Sequence, residues 1–247
     1  QHYLSDEVRV ILVRFRQHIY DIRLFCRTRT KRRGKWLLFE LEKSYIVIHF
    51  RMEGRFYLLP LNSKRDKHDY VIFYFDDYEL HFNDPRLFGK MEVVLKEDID
   101  KFFNSKKLGL EYTDPKLTVN YLKEKFKTHH TDIKKMLLDQ SYITGIGNIY
   151  ADEVLFASKI NPLRLGESVT LEECKRIIKS ARDILSLAIK EGGTTIRSYT
   201  SSLGVTGNYQ NFLKVHKKEG ELCTCGCKIE KIKVGGRSTY FCPNCQK

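Results

Sequence analysis

No run of about 18 apolar residues occurs in this chain, so nothing in it reads as a membrane-spanning helix. The first residues, QHYLSDEV, lack the basic start, apolar middle and small-residue cleavage site of a secretory signal, and a cytoplasmic protein is expected. Internal repeats and low-complexity tracts are also missing, which argues against solenoids and simple linkers. Acidic residues are in deficit. Against 44 Lys and Arg there are 31 Asp and Glu, and the net charge of +13 asks for a polyanionic partner, either nucleic acid or an anionic membrane surface. Cysteine is scarce until the end. Of seven, five fall within the last 25 residues, a clustering that favours metal over a disulfide framework. Cys26 and Cys174 stand alone and read as small buried hydrophobes.

What is present suffices for a core. The 247 residues are 42% hydrophobic and 12% aromatic, which excludes global disorder and suggests two modest domains. From Gln1 to Lys96 short β-branched and aromatic runs such as WLLFEL, SYIVIHF, YVIFYF and YELHF alternate with polar turns, as strands do. At Leu122 the period changes. KEKFKTHH, DIKKMLLDQ, NIYADEVLFAS and LEECKRIIKSARDILSLAIK space apolar residues three and four apart, as amphipathic helices require. From Asn211 short strands return around the cysteines. The fold class is therefore α+β: a β domain, a helical domain and a terminal zinc hairpin, with boundaries drawn at 1–110, 111–210 and 211–247.

Cys242 and Cys245 form a CxxC, and CTCGC offers Cys223, Cys225 and Cys227 about 16 residues upstream, the separation at which two knuckles close on one metal. Four thiolates select zinc, and a site filled by protein ligands is structural. Cys223 and Cys225 are preferred as the first pair, with Cys227 as the alternative to Cys225. Between the two halves, KIEKIKVGGRSTYF reads as strand, glycine turn and strand. Arg237 at that turn is either a bidentate phosphate clamp or a solvated loop arginine. In DQSYITGIGNIYADE an apolar helix is expected to end in GIG and a new one to start with Asn148 as its N-cap. Backbone amides would then be exposed to an anion.

The segments KRRGKWLLFEL, IHFRMEGRF, NDPRLFG, LLDQSYITGIGNIYADEVLFASKINPLR, EGGTTIRSYTSSLGVTGNYQ and IEKIKVGGRSTYFCPNCQK resemble, in the same order, the signature blocks of bacterial formamidopyrimidine-DNA glycosylases. The resemblance runs from about Lys31 to Lys247 and narrows the fold to an N-terminal β-sandwich, a helix-two-turn-helix domain and a zinc-finger β-hairpin. It implies a monomer that acts on double-stranded DNA containing oxidised purines or abasic sites. Reaching a base inside a duplex requires turning it out of the stack, at a cost of about a few kcal/mol that inserted side chains offset. Met52, Arg86 and Phe88 match the family's void-filling set, although a methionine on a strand turn is otherwise an ordinary surface residue. Arg237 and Asn148 match residues that grip the phosphate near the lesion, His49 and Lys134 match phosphate contacts, and Lys35 matches a lysine beside the lesion pocket. Residues 192–210 look like the loop that closes over oxidised purines, with Ile196, Arg197, Ser198 and Tyr199 placed at the base.

The family's chemistry begins with an N-terminal proline whose amine attacks C1′ of the sugar, followed by a glutamate. Here residue 1 is Gln and residue 2 is His, so those residues are expected to be absent from the sequence. Among the residues present, Lys35 alone is assigned a chemical role, since a desolvated lysine can form a Schiff base. Two functions stay open. One is a base-excision-repair glycosylase and AP lyase that removes 8-oxoguanine and formamidopyrimidines by base flipping and β,δ-elimination. The other is a catalytically inactive, zinc-dependent DNA- or lesion-binding protein.

Overall fold

The computed structural model describes residues 29–194 and 207–247, together with the backbone of strands within 7–27. The chain divides into two compact units, with the boundary between residues 106 and 107.

The first unit is built from β1 (Glu7–Val8), β2 (Val10–Phe15), β3 (His18–Ile22), β4 (Cys26–Arg27), β5 (Arg29–Arg33), β6 (Trp36–Glu40), β7 (Ser44–His49), β8 (Arg55–Pro60), β9 (Asp69–Tyr74), β10 (Tyr78–Asn83), β11 (Lys90–Leu95) and one helix, α1 (Ile99–Ser105). A five-stranded sheet in the order β3-β2-β9-β10-β8 faces a four-stranded sheet in the order β11-β7-β6-β5, and β1 pairs with β4. Between the two sheets lie Phe39, Ile46 and Ile48 from one side and Phe56, Val71, Phe73, Leu80 and Phe82 from the other. Side chains alternate along a strand, so a half-buried sheet needs apolar residues at every second position. This unit departs from that rule on both outer faces. Trp36, Leu38 and Val47 are buried on the outer side of the four-stranded sheet, where Phe102 and Phe103 of α1 meet Trp36 edge-on at 5.5 and 6.4 Å. On the outer side of β10 the buried residues are polar: Glu79, His81 and Asn83. Phe73 is fully buried, and cutting it to Ala would cost about 3–5 kcal/mol.

The second unit contains β12 (Leu110–Glu111), α2 (Val119–Lys127), α3 (Ile133–Leu138), β13 (Ile143–Thr144), α4 (Asn148–Ala157), α5 (Leu171–Lys190), β14 (Glu230–Val234) and β15 (Arg237–Phe241). Its core joins Leu122 and Phe126 of α2, Ile133, Met136 and Leu137 of α3, Val154 and Leu155 of α4, and Cys174, Ile177, Ile178 and Ala181 of α5. The three- and four-residue spacings account for the helices. α5 starts at a capping box in which Thr170 and Glu173 satisfy each other's backbone amides, an arrangement whose loss costs about 1 kcal/mol. Gly235 and Gly236, both at positive φ, make the two-residue turn of the β14–β15 hairpin, and a side chain there would be strained.

Three details differ from the sequence reading. α1 is a helix of one or two turns whose three apolar residues, Ile99, Phe102 and Phe103, are too few to establish a period. The helix before the glycine turn stops at Leu138, because Gln140 reaches back and caps the turn itself, donating to the carbonyls of Leu138 and Ile146 and accepting from the Gly145 amide. That amide is therefore already occupied and does not face an anion. The N-cap of α4 is Gly147, and Asn148 is the first helical residue. Its side chain does not cap because it points to another strand.

Candidate nucleic-acid interface and metal centre

In the first unit the site residues sit on strand ends and turns. Lys35 lies in the β5–β6 turn and is exposed, so burial does not supply the desolvation that would turn its amine into a nucleophile. His49 ends β7 directly opposite Trp36. Its Nδ1 accepts the Arg51 backbone N–H at 3.0 Å, which leaves the proton of the neutral ring on Nε2. Burial, and after it the positive charges of Arg51, Lys35 and Lys90, push the His49 pKa down to about 4. These three cations lie within electrostatic reach of one imidazole, a surface suited to phosphate.

Met52 follows Arg51 in the β7–β8 turn and is 71% exposed. Arg86 and Phe88 lie on the turn after β10, where the buried Asp84 carboxylate accepts the amides of Arg86 at 3.3 Å and Gly89 at 2.6 Å. The Arg86 guanidinium lies 4.6 Å from the Phe88 ring centroid and 3.6 Å from Glu53, the neighbour of Met52. One ion pair thus brings the two turns together. Phe88 is 50% exposed and Met52 more so, which leaves apolar surface on both turns open to solvent.

The second unit assembles Asn148 and Arg237 although 89 positions separate them in sequence. Asn148 Nδ2 donates to the carbonyl of Ser238 at 2.9 Å, which fixes the amide's orientation and leaves Oδ1 buried without a partner. Arg237 is exposed at the start of β15, next to Ser238. Gly235 lies so close to Lys135 that an added Cβ would come within 3.3 Å of that side chain. Lys134 is placed differently from the phosphate contact expected of it. Its side chain is fully buried, paired with Asp152, and donates to the Asn148 carbonyl at 3.0 Å. Burial lowers its pKa while Asp152 pulls it upward, and the charge of Arg237 adds to the lowering. A buried, paired ammonium braces α4 and offers no free donor to solvent.

The thiols of Cys223, Cys225, Cys242 and Cys245 all lie within 4.8 Å of one another. Cys223 and Cys245 are 3.8 Å apart and Cys225 and Cys242 3.5 Å apart, against about 3.8 Å between thiolates on a tetrahedral zinc. This donor set fits one structural zinc. Cys227 points away, with its sulfur near the Lys228 carbonyl. Asn244 hydrogen-bonds Cys225 and, with the Cys227 backbone, pulls that thiol down to about 6, toward the thiolate a metal needs.

Ile196, Arg197, Ser198 and Tyr199 lie outside the described residues. On either side of that segment, the Asn208 amide donates to the Glu191 carbonyl at 2.8 Å and the Tyr209 amide to the Gly193 carbonyl at 3.0 Å. Sequence reasoning missed Asp152, Glu153 and His216, all buried. The signal available was the acidic pair in NIYADEVLFA, a helix otherwise apolar on most sides.

Residues 22–91 match the formamidopyrimidine-DNA glycosylase N-terminal domain, 108–200 the H2TH domain of the same proteins, and 224–247 the zinc finger found in FPG and IleRS. The chain is 46% identical over 219 residues to a formamidopyrimidine-DNA glycosylase of Listeria monocytogenes, covering 88% of this chain and 80% of that protein. It is 41% identical over 239 residues to one of Pelotomaculum thermopropionicum, covering 96% and 86%. The solved Lactococcus lactis Fpg in complex with DNA containing an abasic site superposes with a TM-score of 0.90 at 35% identity, over 100% of this chain and 94% of that one. A further L. lactis Fpg complex, with DNA containing N7-benzyl-Fapy-dG, gives 0.89 at 35% identity.

Proposed function

This chain belongs to the formamidopyrimidine-DNA glycosylase family of base-excision-repair enzymes, and from that premise we propose that it acts on oxidised purines and abasic sites in duplex DNA. The observation that carries this reading is the Asn148–Ser238 hydrogen bond, which holds a helix-terminal amide beside the exposed guanidinium of Arg237. A phosphodiester there meets a bidentate cation, a second amide hydrogen of Asn148 and the N-terminus of α4. In the first unit, Lys35 and the Nε2–H of His49 supply further phosphate contacts. Met52, Arg86 and Phe88 enter the gap that an extruded nucleotide leaves, with the Phe88 ring and the thioether replacing lost stacking. Residues 196–199 close over the base.

The zinc holds the hairpin that carries Arg237, through Cys223, Cys225, Cys242 and Cys245. A Schiff base at C1′ followed by β,δ-elimination needs an amine nucleophile, and neither exposed Lys35 nor sealed Lys134 is prepared for that step. The division of labour follows 1–110 for extrusion, 111–210 for base and phosphate recognition and 211–247 for the metal-braced clamp. We place the protein, as a monomer, in the bacterial cytoplasm on nucleoid DNA. No described helix is long and apolar enough to cross a membrane.

Binding of a duplex with an abasic-site analogue, compared with its undamaged counterpart over a salt series, tests the reading. Tighter binding of the damaged duplex and a slope of several released counterions are expected. Equal affinity for both duplexes would overturn it.

A further inference from the structure

Beneath Asn148 and the hairpin lies a closed polar cluster centred on Asp152. Asp152 on α4 has no exposed side-chain surface. One carboxylate oxygen faces the Lys134 ammonium, and the other lies 2.6 Å from His216 Nδ1. Lys134 also donates to the carbonyl of Asn148, which fixes the first turn of α4 from below. The His216 ring meets Tyr240 of β15 edge-on, 5.0 Å between centroids. The next residue, Glu153, accepts the backbone amides of Lys214, Val215 and His216 at 2.8, 3.0 and 2.9 Å. Two consecutive acids therefore tie the helix that carries Asn148 to the segment leading into the hairpin.

A buried ion cluster is a poor device for stability alone, because desolvation cancels most of the attraction and apolar replacements are often as stable. What it fixes is register, since each partner accepts one geometry. We infer that Asp152 is a positioning residue for phosphate recognition: by holding Lys134 under the first turn of α4 and His216 under β15, it makes Asn148 and Arg237 a single rigid clamp for one phosphodiester. The inference rests on the proposed phosphate role of Asn148 and Arg237. Without Asp152 each of the two groups still exists, but the Asn148–Ser238 bond must hold the alignment alone. The two groups must then be ordered on binding, and affinity drops without loss of any surface group.

The test uses the zinc-loaded chain and a duplex carrying an abasic-site analogue, with affinity measured over a potassium chloride series. Arg237→Ala should lower the slope by about one contact. An unchanged slope in that variant would remove the phosphate reading itself, whatever Asp152 does. With that control in hand, Asp152→Asn should keep one zinc per chain, lose affinity about tenfold and show a reduced slope. Added to Arg237→Ala, it should cause little further loss, because both act on one clamp. A wild-type slope in Asp152→Asn, or losses that multiply in the double variant, would overturn the inference, since a merely structural role lowers melting temperature and leaves counterion release alone. Should Asp152→Asn not fold, His216→Phe decides. It keeps the ring on Tyr240 and the Lys134–Asp152 pair, and should show a smaller loss of the same non-additive kind. Full additivity with Arg237→Ala there would equally overturn it.

Discussion

The rings of Trp36 and His49 meet edge to face, 4.8 Å between centroids, as a directly opposed pair across the β6–β7 ladder. With Nδ1 accepting from Arg51, the imidazole is a neutral donor held by an aromatic wall.

The His49 pKa of about 4 has a sign that can be checked. An unfolded chain binds a proton at this histidine near pH 6.5 and the folded chain only near 4, so unfolding takes up a proton in between. Stability should therefore fall as pH drops from about 6.5 to 4, by about 1–2 kcal/mol after allowing for the ring's partial exposure. His49→Gln should remove that share of the pH dependence. An NMR titration of the ring with its midpoint near 6.5 would contradict the assignment.

Metal analysis of single Cys→Ser variants addresses the ligand set. Zinc should be lost from the variants at Cys223, Cys225, Cys242 and Cys245 and kept, one per chain, in Cys227→Ser. Chelation should abolish DNA binding before the helical core melts, because that core rests on α2 to α5. Zinc loss from Cys227→Ser with retention in Cys225→Ser would reverse the assignment.

Met52→Ala separates extrusion from docking. Zinc content and affinity for undamaged duplex should stay within about twofold, since a 71% exposed thioether supports nothing in the free protein. Fluorescence of a 2-aminopurine beside the lesion, which reports base opening, should fall. Unaltered fluorescence would return Met52 to the status of an ordinary surface side chain.

His81 is fully buried between two carboxylates, with Nδ1 2.9 Å from Asp69 and Nε2 2.7 Å from Glu79. His81→Leu would leave both acids facing an apolar neighbour, and urea denaturation should register a loss of about 3–5 kcal/mol. A loss below about 1 kcal/mol would mean that water or other donors replace the ring.

Much of the architecture was legible because it is written in local spacing. Alternation gave the sandwich strands, the three- and four-residue rhythm gave α2 to α5, and the crowded cysteines gave the metal. α1 escaped because its seven residues are too few for the spacing of Ile99, Phe102 and Phe103 to establish a period. The motif match located Lys134 and Asn148 but not their surroundings. Burial of Lys134 depends on Asp152, and the direction of Asn148 depends on Ser238, 90 residues away. Such pairings are tertiary facts with no local period. The same limit explains why Gln140, an unremarked polar residue in a loop, proved to be the side chain that closes the glycine turn.

Glu153 gives the hairpin a fixed place. Its carboxylate gathers three successive amides of the turn leading toward the first cysteine, so this anchor is made of protein groups alone. The approach to Cys223 is thus moored to α4, and the span from Cys223 to Cys245 is the part whose thiols gather around the ion. Closing a loop of that length costs about 3 kcal/mol of chain entropy, which the metal bonds offset, so the work asked of the ion is confined to the hairpin and its knuckle.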